Sequence, residues 1–129
     1  MIATSEDIAT ILQAETSLVL GTDLFINKEP ALPNACVTIF DTSGGGSDLT
    51  LDRAGYQRTS FQLRIRDSVQ LTASTLCQTL LGVLDGLGNE AVGDTIYMVI
   101  YLASGPALLD WDGNDRIRFI INFNTLRKE

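Results

Sequence analysis

Apolar positions along this chain fall into two helical stripes and several strand-like runs. Ile8, Ile11, Leu12, Glu15 and Val19 recur at helical spacing and are mostly apolar. Thr4 or Ser5 can cap this first helix, Glu6 and Asp7 complement its positive end, and Gly21 suits a C-cap. Packing on a sheet is the simplest use of such a stripe. Leu24–Ile26 reads as a short strand. Residues 28–34 then break the pattern with Pro30 and Pro33. Cys36 to Phe40 is nearly all apolar or β-branched and reads as a buried strand. Thr59 to Arg66 alternates: Phe61, Leu63 and Ile65 face one way, and Gln62, Arg64 and Arg66 the other. That is a strand with one wet face.

Ser68 is placed to cap a second helix running to about Leu87. Its stripe is Val69, Ala73, Leu76, Leu80, Leu84 and Leu87, and Gly86, Gly88 and Asn89 mark its end. Thr95 to Ala103 reads as a strand apolar on both faces, terminated by Ser104-Gly105-Pro106. Asp112-Gly113-Asn114-Asp115 is a hairpin signal. The last strand runs from Arg116 to Asn124, with Ile117, Phe119, Ile121 and Phe123 inward and a charged tail after it. Between these elements, Asp41 to Gly55 shows little periodicity and holds four of the chain's eleven glycines. Loops of that length are usually functional or disordered; the segment reads as a mobile arm or hairpin that orders on a partner. The pattern predicts an α+β domain spanning residues 1–129. Its mostly antiparallel or mixed sheet has four to five strands, with two helices packed on one face.

With 129 residues and 45% apolar content, one domain fills its own core without metals or disulfides. Cys36 lies in a strand and Cys77 in a helix, so both read as reduced, buried small hydrophobes. Residues 1–10 lack a basic start and an apolar run, so no secretory leader is expected. No stretch reaches the roughly 20 apolar residues of a spanning helix. A net charge of −7 disfavours a phosphate-binding surface and adhesion to anionic membranes.

Catalytic chemistry is thinly represented. The chain has no histidine, which removes the commonest general base and transition-metal ligand. Gly44-Gly45-Gly46 is followed by no Lys-Ser/Thr and opens no helix, so it is not a phosphate loop. Asp48 and Asp52 lie in the glycine-rich segment with no apolar neighbours to raise a carboxyl pKa. Asp110, Asp112, Asn114 and Asp115 offer the oxygens a calcium ion wants. Their spacing departs from the EF-hand: glycine falls at the fourth position, and Ile121 stands where a bidentate glutamate belongs. They remain weak metal candidates, and no cofactor is expected.

Arginines are grouped more tellingly. Arg53, Arg58, Arg64 and Arg66 fall in one segment with no acid between Asp52 and Asp67. Alternation puts Arg58, Arg64 and Arg66 on one exposed strand face, and Arg116 and Arg118 extend the patch if the last strand lies beside it. A basic strip on an acidic protein suits pairing between identical subunits. This pattern assigns Arg58, Arg64, Arg66, Arg116 and Arg118 to a subunit interface. It assigns Asp41, Gly44, Gly45, Gly46, Asp48 and Trp111 to contacts with other partners.

Pro33 to Gly46, Arg64 and Arg66, the Leu-rich helix, the Tyr-bearing strand, Ser104-Gly105-Pro106, the Asp/Asn/Gly turn and the final Phe119 to Phe123 strand form an ordered set. In that order they resemble a family of bacteriophage minor capsid and tail-terminator proteins, over roughly residues 5 to 126. The resemblance implies a non-enzymatic virion protein of the tail or neck, assembled in the host cytoplasm. It implies a ring, commonly a hexamer, that caps the head-proximal end of the tail tube, stops its polymerisation and provides the head-joining surface. Its implied partners are copies of itself, the tail-tube protein and a head-completion protein. DNA passes through such a ring without specific binding, and no membrane is involved. Three other readings stay open: a head-side stopper of the neck, a small monomeric calcium-dependent binding module, and a carboxylate-only enzyme.

Overall fold

The computed structural model describes residues 3–48 and 56–128. Two helices and six strands follow in the order α1 (Thr4–Glu15), β1 (Leu24–Ile26), β2 (Cys36–Asp48), β3 (Tyr56–Asp67), α2 (Gln70–Leu84), β4 (Leu87–Val92), β5 (Thr95–Trp111) and β6 (Ile117–Lys128). The strands form one sheet in the order β1-β2-β3-β6-β5-β4. The β1–β2 pair is parallel and every other pair antiparallel. The fold is α+β as the pattern predicts, with six strands instead of four to five.

The alternation in β3 sets the layers. Phe61, Leu63 and Ile65 are fully buried, and register places Phe123, Ile121 and Phe119 of β6 opposite them. On the other side of β3, Ile39 and Val37 of β2 oppose Leu63 and Ile65. The Phe61 and Phe123 rings stack at 5.1 Å. Against this face α1 packs Ile8 and Leu12, and α2 packs Ala73, Cys77, Leu80 and Leu84. The two helices share one face; α1 lies over β1 to β3, and α2 over β3, β6 and β5.

Helix ends depart from the sequence reading. Thr4 and Ser5 lie inside the first turn of α1, buried, and Ala3 holds the cap position without a side-chain bond. The helix stops at Thr16, whose amide donates to Leu12 O, so Gly21 is no cap. Gly21 instead takes φ +89° in the turn before β1. Val19 lies beyond the helix and is exposed. Similarly, α2 ends at Leu84, and Leu87 opens a strand the sequence reading missed. Gly88 and Asn89 disguise β4, which pairs with β5 only from Thr95 to Ile100.

Two strands run further than expected. β2 continues through Asp41 to Asp48 where a loop was expected; residues 49–55 of that loop lie outside the described residues. β5 passes through Ser104-Gly105-Pro106 and reaches Trp111. Glycine and proline read as a stop, but here they form an irregular stretch with register shifts on both sides. A proline is tolerated there because β4 no longer pairs with this part of β5.

Gly105 takes φ +95°, and a β-carbon on it would sit 2.6 Å from Ile120 O across the strand pair. Neither atom belongs to a flexible side chain, so backbone must shift. Gly105→Ala is expected to cost about 3 kcal/mol of stability, combining left-handed strain with this clash. Urea unfolding of the two proteins measures the difference.

Candidate functional site

The sequence pattern assigns five arginines, of β3, β6 and the turn before β6, to one exposed strip, and the structure divides them. Arg66 is only 2% exposed. Its guanidinium donates to Pro30 O and Pro33 O at 2.6 Å each and to Asn34 O at 3.3 Å, and lies 3.4 Å from Glu29. Arg116 is buried too, donating to Ala31 O and, at 2.8 Å, to Asp112. Arg118 binds Asp110 at 2.5 and 2.6 Å and Glu29 at 3.0 Å. The proline-broken segment 28–34 therefore folds back over the helix-free face of the sheet and is strapped there. Its carbonyl oxygens need donors, which the Arg66 and Arg116 guanidiniums supply, while Arg118 holds the Glu29 carboxylate. Arg66 and Arg116 do not lie on an exposed face.

The other two arginines are placed differently. Arg64 stands over the Phe40 ring at 4.7 Å. Its Nε and the neighbouring Thr38 Oγ1 are buried without a hydrogen-bond partner among the described residues. Arg58 lines a cleft of about 260 Å³ on the same face, with Ser60, Tyr101 and Asn124. Between them Gln62 donates to Asn122 and Ser60 to Asn124, an uncharged polar ladder across β3 and β6.

The predicted partner-contact residues also separate. Asp41 is a structural acceptor: its carboxylate takes the Ser5 amide at 2.9 Å, the Ser5 hydroxyl at 2.6 Å and the Asn27 amide at 2.8 Å. Burial works to raise its pKa, but these hydrogen bonds outweigh it and hold the carboxyl low. It thus serves the positive end of α1 from a neighbouring strand. Gly44, Gly45 and Gly46 lie in β2 beyond a register shift, with Gly46 opposite Arg58, and Asp48 opposes Tyr56 at the strand's end. Trp111 ends β5 half-exposed.

The calcium candidates are drawn into other roles. Asp110 is held by Arg118, which lowers its pKa. Asp112 accepts from the Asn114 and Arg116 amides at 2.9 and 3.0 Å and from the Arg116 side chain. Among the described residues no three acids, cysteines or histidines are grouped to hold a metal. Asp52 lies outside the described residues. Cys36 and Cys77 are buried free thiols; burial pushes Cys77 up to about 11 and raises Cys36 as well. Neither is activated as a nucleophile.

One polar cluster escaped the sequence reading. Tyr97 donates its hydroxyl to Asp7 at 2.5 Å, and Arg127 donates to the Tyr97 oxygen at 3.1 Å and lies 3.7 Å from Asp7. The sequence reading gives Asp7 to the helix dipole and Arg127 to a short charged tail. The only signal was alternation continuing past Asn124, which carries Thr125 and Arg127 to the inner face.

A model of the bacteriophage tail terminator protein family matches residues 11–128. The chain belongs to that family. It is therefore a structural component of a phage-type virion tail. The family match covers both walls of the strapped face, from Glu29 to Arg118. A chain in the virion of a native gene transfer agent particle shares the fold at a TM-score of 0.72 and 15% identity. The alignment covers 98% of this chain and 96% of that one. No curated protein matches the sequence.

Two outcomes follow from this geometry. Arg66→Ala leaves three carbonyls without their donor and Glu29 with Arg118 alone, and is expected to cost about 3–5 kcal/mol in urea unfolding. Asp7 gives a pH signature. Burial raises its pKa against the opposing pull of Tyr97 and Arg127, so the folded state holds the proton more tightly than the unfolded state. Relative to Asp7→Asn, the wild-type protein should gain stability as pH falls from neutral through the raised folded pKa, levelling off below the ordinary carboxylate value. Unfolding free energies of both proteins across pH 4–7 provide the check.

Proposed function

We propose that this chain forms a ring, six-fold in the family manner, that caps the head-proximal end of a phage tail tube. The ring ends tube polymerisation and presents the surface on which the head's neck proteins dock. The family match over nearly the whole chain carries this reading. The likeness to a chain from a phage-like virion agrees with it. The acid excess agrees as well, since a net charge of −7 lets DNA pass a lumen without adhering.

Within the ring, Arg58 and Arg64 are the members of the arginine set proposed for the subunit interface. Arg66, Arg116 and Arg118 contribute by holding segment 28–34 in place. Trp111 and the distal part of β2, read from the sequence as contacts with other partners, are proposed as assembly contacts in the virion. The calcium-module reading gains nothing from Asp110 and Asp112, which already serve arginines.

Solution mass by light scattering over a concentration series, at low and moderate salt, tests the ring. Negative-stain imaging is made on the largest species, with and without tail tubes. A discrete species of about six subunits with a central hole is expected. A strict monomer that neither assembles nor binds tube ends at any concentration overturns the proposal.

A further inference from the structure

The sheet carries two uncovered edges. On one side β1 pairs with β2 only at Val37–Ile39, and the Asn27 side chain takes the Asp41 amide. From Thr42 to Asp48 the outer side of β2 has no strand beside it among the described residues. On the other side β4 ends its pairing at Ile100, and Asp85 takes the Leu102 amide. From Ala103 to Trp111 the outer side of β5 is likewise unpaired by any strand among the described residues. Open edges are normally short, charged or twisted away. This one presents Leu108, Leu109 and Trp111 at 56, 40 and 50% exposure. Pro106 interrupts it, which leaves Ala107–Trp111 as the pairable run.

We propose that the β5 edge at Ala107–Trp111 pairs with the distal β2 strand, Thr42–Asp48, of a second copy, continuing the sheet from subunit to subunit. The inference rests on the ring reading and names its interface. Three observations select this occupant. First, a cyclic assembly needs two different surfaces on each subunit, and the open edges lie on opposite sides of one sheet. Second, the directions agree. β2 and β5 are antiparallel to each other through β3 and β6, so neighbours in the same orientation bring them together as an antiparallel pair. Third, β2 carries Gly44, Gly45 and Gly46 there, where no β-carbon holds off an approaching backbone.

The register also bears on closure. Ala107 is level with Ile120, Arg64 and Thr38, whereas the uncovered part of β2 begins at Thr42, level with Ser60, Asn124 and Tyr101. Leu108 and Asp110 are level with Ile65 and Arg66, and Thr42 and Gly46 with Ser60 and Arg58, so the centres of the two runs are offset by about seven residues, roughly 23 Å, on four strands that span roughly 19 Å across the sheet. Upright strands would turn that offset into a rise at each step and an open helix. Strands tilted by about 50° to the axis absorb it, near the upper end of the tilts of closed β-sheets.

Amide exchange on the unmodified protein tests the pairing. Peptides covering Leu108 to Trp111 should exchange at least tenfold more slowly in the ring than in the dilute dissociated subunit. A second measurement uses Gly45→Cys combined with Leu109→Cys, the native thiols being buried. Mild oxidation should yield a covalent ladder up to the ring size, while each single variant yields none. A ring that assembles with neither protection nor ladder overturns the edge pairing and leaves the ring reading standing. Absence of any assembly, read independently by mass with and without tail tubes, removes both.

Discussion

Arg66 occupies a strand position whose side chain leaves the core, yet it is almost wholly buried. The resolution lies in segment 28–34, which folds over the helix-free face and needs hydrogen-bond donors. Its prolines supply none. One guanidinium serves three carbonyls there, Glu29 balances its charge, and Arg118 links Glu29 to Asp110. A chain with two helices can cover one sheet face with apolar packing. This network is how the other face is partly covered without an apolar layer. Without it, segment 28–34 loses the donors that hold it over β3 and β6.

The same division explains what the sequence made legible. The core alternation in β3 and β6 was plain, because Phe61, Leu63, Ile65, Ile121 and Phe123 follow a strict period of two. The helices were plain as well, although their ends were not. Ser5 looked like a cap from sequence spacing, but the carboxylate serving that helix end comes from Asp41, thirty-six residues away. Gly88-Asn89 and Ser104-Gly105-Pro106 read as breaks because local propensity sees only the residue. Sheet edges tolerate both, and edge position is a tertiary property. The arginine cluster was visible as a group, but its use was not. Whether a strand arginine meets water, a neighbour or its own chain depends on where a distant proline segment lands.

The Asp7–Tyr97–Arg127 group illustrates a related cost. It joins the first turn of α1 to β5 and β6, and leaves Asp7 Oδ1 buried without a hydrogen-bond partner among the described residues. Such groups contribute less to stability than apolar packing of the same volume, because each charge must leave water. Their attested value is specificity, since a wrong register strands a charge in the core. Among the described residues parts of both sheet edges are uncovered, and fixing which strands pair within the chain limits wrong pairing there.

Open edges and exposed leucines invite indiscriminate association, so the chain must also resist it. A net charge of −7 makes copies repel at long range, and this repulsion falls with salt. Short-range contact is restricted differently. Pro106 and the register shifts of β5 block uniform pairing along its length, and β4 and Asp85 close its first part. What survives is a short run that accepts a partner of one direction and one offset. Weak affinity from so short a pairing suits a subunit that should not polymerise freely. In the proposed ring each copy makes the proposed contact twice, so closure gains what one contact lacks.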